Sequence, residues 1–241
     1  MTGFNKSQWA KPEFTQKYRD GADDFIVERK RLLEILKSFY KHFIANKPHS
    51  NILDLGCGDG ILISELLKID NSIEATLIDG SEDMLNKAKD RLKAFGNLHF
   101  IRASFQELLN NNTTLQGYYD FIVSSLAIHH LTMEEKTALF KIIYSHLNVD
   151  GYFLNIDVVL APSDALEQWY LLLWKQWIDE RKSFLGIVDS HYDDVIRRYK
   201  DNTDNQPDTL AAQLNALQII GFKDVDCFYK YGIFTMYGGK K

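Results

Sequence analysis

One segment constrains this chain more than any other: Ile52-Leu53-Asp54-Leu55-Gly56-Cys57-Gly58-Asp59-Gly60. A short apolar run stops on glycines at 56, 58 and 60. A helical pattern follows at once, with apolar residues at 62, 66 and 69 and at 63 and 67. This reads as a buried strand, Asn51 to Leu55, a tight turn and a helix. The unit recurs along the chain. Ile73–Ile78, Leu98–Ile101, Phe121–Ser125 and Tyr152–Val159 read as further strands. Between them lie helices, one capped by Ser81 and one opened by the capping box Thr132-Met133-Glu134-Glu135. A helix from Asp208 or Thr209 closes at Gly221, and Val225–Tyr231 and Ile233–Tyr237 form an antiparallel pair. Buried strands alternating with helices predict a mostly parallel sheet covered on both faces, wound by right-handed crossovers. Ligands of such sheets sit at the carboxyl ends of the strands. The loops after Leu55, Ile78, Ile101 and Ser125 should therefore converge on one site.

The residues of those loops suggest what the site holds. Glycine tolerates positive φ and lets a ligand approach the backbone. A dinucleotide fingerprint would place its third glycine at 61, where this chain has Ile61. Asp79 ends the second strand, 23 residues after Gly56. A carboxylate there can accept hydrogen bonds from both hydroxyls of an adenosine ribose. It is free for that role because Ser81 suits the helix cap. Cys57 is compact enough for a crowded loop, which explains it better than nucleophilic chemistry.

Taken together, ILDLGCGDG (52–60), LIDGSEDML (77–85), IRASFQEL (101–108), YDFIVSSLAIHHL (119–131) and LNVDGYFLNID (147–157) resemble the class I S-adenosylmethionine-dependent methyltransferases. The resemblance spans about residues 50–160 and weakens toward the end. It implies an α/β, Rossmann-like doubly wound sheet of about seven strands in the order 3-2-1-4-5-7-6, the last antiparallel, with helices on both faces. It also implies a role for each matching residue. Gly56, Cys57 and Gly58 would pass under the methionine moiety of S-adenosylmethionine. Asp54 would steady the loop and the amino group. Asp79 would bind ribose, with Gly80 and Met84 packing on it or on adenine, and Ser104 and Phe105 would lie at the adenine edge. Ser104 stands where the family usually has Asp. Its hydroxyl would still accept from the exocyclic amine, as a neutral and weaker partner. Ser125 and Leu126 would lie by the methionine end. Outside the resemblance, Trp9 and Tyr18 on the N-terminal arm are candidates to close over the methyl donor, the alternative being packing onto the sheet.

The substrate side is less patterned. His129 and His130 follow strand four, and a histidine has the right range to take a proton from a hydroxyl or amine. His129 is the candidate base and His130 a candidate substrate contact. The alternative is that one of the pair packs or caps the next helix. No carboxylate or Cys at ligand spacing accompanies them, so no metal is expected. Residues 1–48 are expected to hold one long amphipathic helix as an arm or lid, with Leu32, Leu36, Phe39 and Phe43 on its inner face. Residues 49–241 would be the methyltransferase domain, with a helical aromatic insertion at about 161–206. Trp9, Trp174, Arg197 and Arg198 are the further candidates for substrate contact, while Trp169, Leu172, Leu173 and Trp177 read as helix-face core. Residues 197–241 also resemble carboxy-S-adenosylmethionine synthase. There an arginine near 197–198 binds an extra carboxylate.

Charge narrows the acceptor. With 28 Lys+Arg against 33 Asp+Glu the net charge is −5, so no global field holds a polyanion. A small-molecule acceptor is therefore expected ahead of nucleic acid or protein. The two Cys, Cys57 and Cys227, make no disulfide framework, and no apolar stretch approaches a membrane span. A cytoplasmic enzyme is expected, with oligomeric state open. The competing readings are an enzyme that makes or uses a carboxylated donor, and a non-catalytic protein that binds S-adenosylmethionine.

Overall fold

The computed structural model describes residues 4, 7–46, 49–110, 115–186 and 194–241, and of Tyr18 and Asp20 only the backbone. Strands β1 (Asn51–Leu55), β2 (Glu74–Asp79), β3 (Leu98–Arg102), β4 (Tyr119–Ser125), β5 (Leu147–Val158), β6 (Lys223–Tyr231) and β7 (Phe234–Lys240) form one sheet. Its order is β3-β2-β1-β4-β5-β7-β6, and only β7 runs antiparallel to its neighbours. This is the order the resemblance implied. Parallel pairing runs from β3 through β5, so the carboxyl ends of β1, β2 and β4 lie side by side, with Leu55 opposite both Ile78 and Ser124.

The central strands are apolar on both faces because helices cover both. On one face α2 (Arg29–Phe43), α3 (Ile61–Leu67) and α4 (Glu82–Leu92) bury Leu36, Ile63, Leu66 and Leu85 against Ile52, Leu77 and Val123. On the other, α5 (Phe105–Leu109), α6 (Met133–His146) and α9 (Leu210–Ile220) bury Leu108, Leu139, Phe140 and Leu217 against Leu53, Ile122 and Phe153. Local chemistry sets several helix starts. Ser81 accepts from the Met84 N–H, Thr132 and Glu135 form the expected capping box, and Thr209 accepts from the Ala212 N–H.

The N-terminal arm differs from the expectation of one helix. The periodic stretch from Leu32 to Phe43 is α2, and a separate helix, α1 (Pro12–Phe25), precedes it. Glu28 breaks the two apart in the left-handed conformation, φ 53°. In the insertion, α7 (Asp164–Leu185) and α8 (Val195–Asp201) are helical, as expected. The buried face of α7 is a different one. Trp174 and Ile178 are buried, whereas Trp169 and Leu172 are half exposed. Apolar residues occur on every side of α7, so spacing alone could not choose the face. Residues 111–114 and Tyr192 lie outside the described residues.

Candidate functional site

At the end of β1, Asp54 is fully buried, and neither carboxylate oxygen has a hydrogen-bond partner among the described residues. Burial pushes its pKa well above the usual carboxylate range, and the charges of Asp79 and Asp59 push the same way. Such a group is costly unless something positive or proton-donating meets it. The chain then turns through Gly56 at φ +67°, and a Cβ there would lie 2.4 Å from the Ala127 side chain. Only glycine allows this approach between the first loop and the loop after β4.

Asp79 closes the second side. Its Oδ2 accepts from the Gly58 N–H at 2.9 Å and its Oδ1 from the Ser81 N–H at 2.7 Å. Burial raises its pKa, and the two N–H groups oppose that rise. The carboxylate thus locks the glycine loop to the start of α4, and each oxygen keeps acceptor capacity. Gly80 lies beneath Phe4, whose ring would be 2.7 Å from any Cβ there.

These residues line one cavity of about 230 Å³, together with Met84, Ser104, Phe105, Ser125, Leu126 and Cys57. The Ser104 hydroxyl also has a local role. It caps α5, accepting from the Glu107 N–H at 3.2 Å and donating to Glu107 Oε2 at 2.7 Å. The Ser-x-x-Glu spacing of this capping box stands in the sequence and was the signal to read. Arg29 was missed altogether. It is the one permanent cation among the described residues lining this cavity, whose walls also carry Asp54, Asp59, Asp79, Glu135 and Asp204. It also pairs with Asp23 at 2.6 Å.

A second cavity, about 360 Å³, adjoins the first, and Trp9, Ile26, Leu126 and His130 line both. Leu126 is a non-glycine residue at φ 51°, pinned by its N–H to the Ile156 carbonyl at 2.8 Å. The second cavity brings together Trp174, Arg197, Arg198 and His129. Neither arginine lines the first. Arg197 is exposed and bound to Asp194 at 2.9 Å.

The two histidines differ sharply. His130 Nε2 accepts from the Trp9 indole N–H at 2.8 Å, and its Nδ1 meets the Asp204 carbonyl at 3.1 Å. An indole only donates and a carbonyl only accepts, so the ring is the neutral Nδ1–H tautomer with both nitrogens engaged. Burial and the neighbouring His129 hold its pKa well below the ordinary range. His130 is a clasp between chain segments that also walls both cavities. His129 is buried, and its Nδ1 contacts Asp157 Oδ1 at 2.6 Å while its N–H donates to Asp157 Oδ2 at 2.9 Å. Its Nε2 has no partner among the described residues. This is the arrangement in which a carboxylate orients an imidazole and leaves the far nitrogen for chemistry. Asp157, at the end of β5, was not singled out from the sequence, because its pairing with His129 spans 28 residues. Tyr18 belongs to α1, and its side chain lies outside the described residues.

Comparison with known proteins agrees with this architecture. Residues 52–151 match the family described as "Methyltransferase domain". Over 97% of its length the chain is 24% identical to the carboxy-S-adenosyl-L-methionine synthase of Nautilia profundicola, covering 96% of that protein. Among solved structures, the magnesium protoporphyrin IX methyltransferase of Synechocystis with bound S-adenosylhomocysteine is similar at a TM-score of 0.65 and 16% identity, with 97% and 96% of the two chains covered. An O-methyltransferase family protein from Burkholderia thailandensis gives 0.66 at 12% identity over 98% of this chain, which spans only 63% of that protein's length. At such identities the structural likeness establishes the fold.

Proposed function

We propose that this chain is a class I S-adenosylmethionine-dependent methyltransferase, in line with the methyltransferase domain match over residues 52–151, and that it binds S-adenosylmethionine in the first cavity and methylates a small molecule held in the second. The observation that carries this is Asp54, a fully buried carboxylate with both oxygens unpartnered among the described residues at the floor of the glycine turn. A ligand that brings an ammonium group there removes the cost of that burial. Arg29 would meet the carboxylate of the same amino-acid tail and Asp79 the ribose hydroxyls. The bound sulfonium would supply an activated methyl carbon, so the protein's task is mainly alignment, which contributes on the order of 7–11 kcal/mol in well-oriented systems. Leu126, shared by the two cavities, marks where donor and acceptor would meet.

His129 would act as general base. Asp157 holds Nδ1, and Nε2 would take the acceptor's proton as the nucleophile loses it. The imidazolium so formed is stabilised by Asp157 and then gives its proton to solvent. His129→Gln is expected to lower turnover by about 10²- to 10⁴-fold, with affinity for S-adenosylhomocysteine unchanged in calorimetric titration. Unaltered turnover would remove His129 from the mechanism and leave the cofactor site standing.

A second reading is favoured by the likeness to a carboxy-S-adenosyl-L-methionine synthase along nearly the whole of both chains. In it, Arg198 would hold a carboxylate brought toward the donor methyl. The two readings diverge in product. One gives a methylated acceptor and S-adenosylhomocysteine, the other a carboxylated sulfonium.

A further inference from the structure

The two adjoining cavities have opposite electrostatic character. Among the described residues, five carboxylates and one guanidinium line the first. Lys17, Arg197 and Arg198 line the second, with Asp201 as its one carboxylate among the described residues. Its walls are aromatic and held in place from behind. The Trp174 indole N–H donates to the Phe25 carbonyl at 2.8 Å. Phe234 and Tyr199 then meet Trp174 edge to face, at 5.2 Å and 82° and at 5.5 Å and 80°. Rings fixed in this way accept another flat ring with little loss of side-chain freedom. The Tyr199 hydroxyl has no hydrogen-bond partner among the described residues. Burial and the charge of Asp157 raise its pKa, so it remains a donor at neutral pH.

The geometry points to a planar aromatic acceptor that carries a negatively charged group: its ring among Phe25, Trp174 and Phe234, its nucleophile toward His129, and its anion at the Lys17–Arg198 rim. This names the acceptor of the site proposed above and rests on that reading. A cationic amine would be repelled by the basic rim, and a neutral aliphatic molecule would use neither the rings nor the charge.

The test is calorimetric, on the full-length protein saturated with S-adenosylhomocysteine. Caffeate and protocatechuate are titrated beside their neutral alcohol counterparts and beside quinate, a hydroxy acid without an aromatic ring. At least one aromatic acid should bind ~10-fold or more tightly than its alcohol and than quinate. Arg198→Gln and Lys17→Gln, both at exposed positions, should shrink that gap to about threefold or less while leaving S-adenosylhomocysteine affinity unchanged. Equal binding of acids and alcohols, or a preference that survives both substitutions, overturns the inference and leaves the cofactor site intact. Failure of S-adenosylhomocysteine to bind at all would instead overturn the underlying reading, and this inference with it.

Discussion

A carboxylate buried without a hydrogen-bond partner is a cost the fold carries at Asp54, and it has a testable sign. Asp54→Asn keeps the size and removes the charge. The free protein should gain about 1 kcal/mol in urea unfolding at neutral pH, while S-adenosylhomocysteine binds about tenfold more weakly. Because burial raises the folded pKa above the ordinary 3.8, the wild type loses stability as pH rises through that shifted range. The variant's advantage should therefore shrink as pH falls toward 3.8. His130 carries the opposite dependence. Its folded pKa lies below the ordinary 6.5, so on acidification the unfolded chain takes up a proton that the folded ring refuses. Melting temperature should fall as pH drops below 6.5, and His130→Gln, which keeps a neutral side chain there, should flatten that fall. An unchanged slope would show that the ring is not held neutral. Asp79 and the glycine turn were legible in the sequence because a few consecutive residues encode them. The Ser104 cap was equally local, a Ser-x-x-Glu spacing, and the hydroxyl that accepts from the Glu107 N–H keeps a second lone pair toward the cavity.

At the scale of elements, α6 and the chain before α9 are joined by a fully buried amine. Lys136 Nζ donates to the Leu131 carbonyl at 2.7 Å, the Gln206 carbonyl at 2.5 Å and Asp208 Oδ2 at 2.6 Å. The same 202–208 stretch supplies the Asp204 carbonyl that holds His130. Lys136→Met should cost about 3 kcal/mol in denaturant unfolding and loosen the clasp, which Trp9 fluorescence would report. A loss under about 0.5 kcal/mol would show that water replaces the amine at no cost. Element boundaries were readable where caps mark them, as at Ser81 and Thr132. Strand β5 begins at Leu147 rather than Tyr152, because Asp150-Gly151 looks like a helix stop, whereas Asp150 sits at φ 64° inside the strand. Helix α1 escaped notice because its acids and Gly21 resemble a loop.

At the scale of the whole molecule, the sheet positions the first cavity, and the N-terminal arm and helices α7 and α8 line the second, the proposed acceptor chamber, against it. The sheet order and the cradle were accessible from local pattern, since each crossover carries its own strand, turn and helix. The chamber was not, because its contacts are long-range. Trp9 and His130 lie 121 residues apart, and Trp174 and Phe25 lie 149 apart. No short motif records such pairs, so the aromatic residues stood out while their pairing did not. The account depends on the cradle, and titration of S-adenosylhomocysteine into the wild type and Asp79→Ala tests it most directly. One site per chain and affinity reduced about 10- to 100-fold in the variant, the loss of charge-assisted hydrogen bonds to ribose, are predicted. Equal affinity in both proteins, or no binding to either, would contradict it.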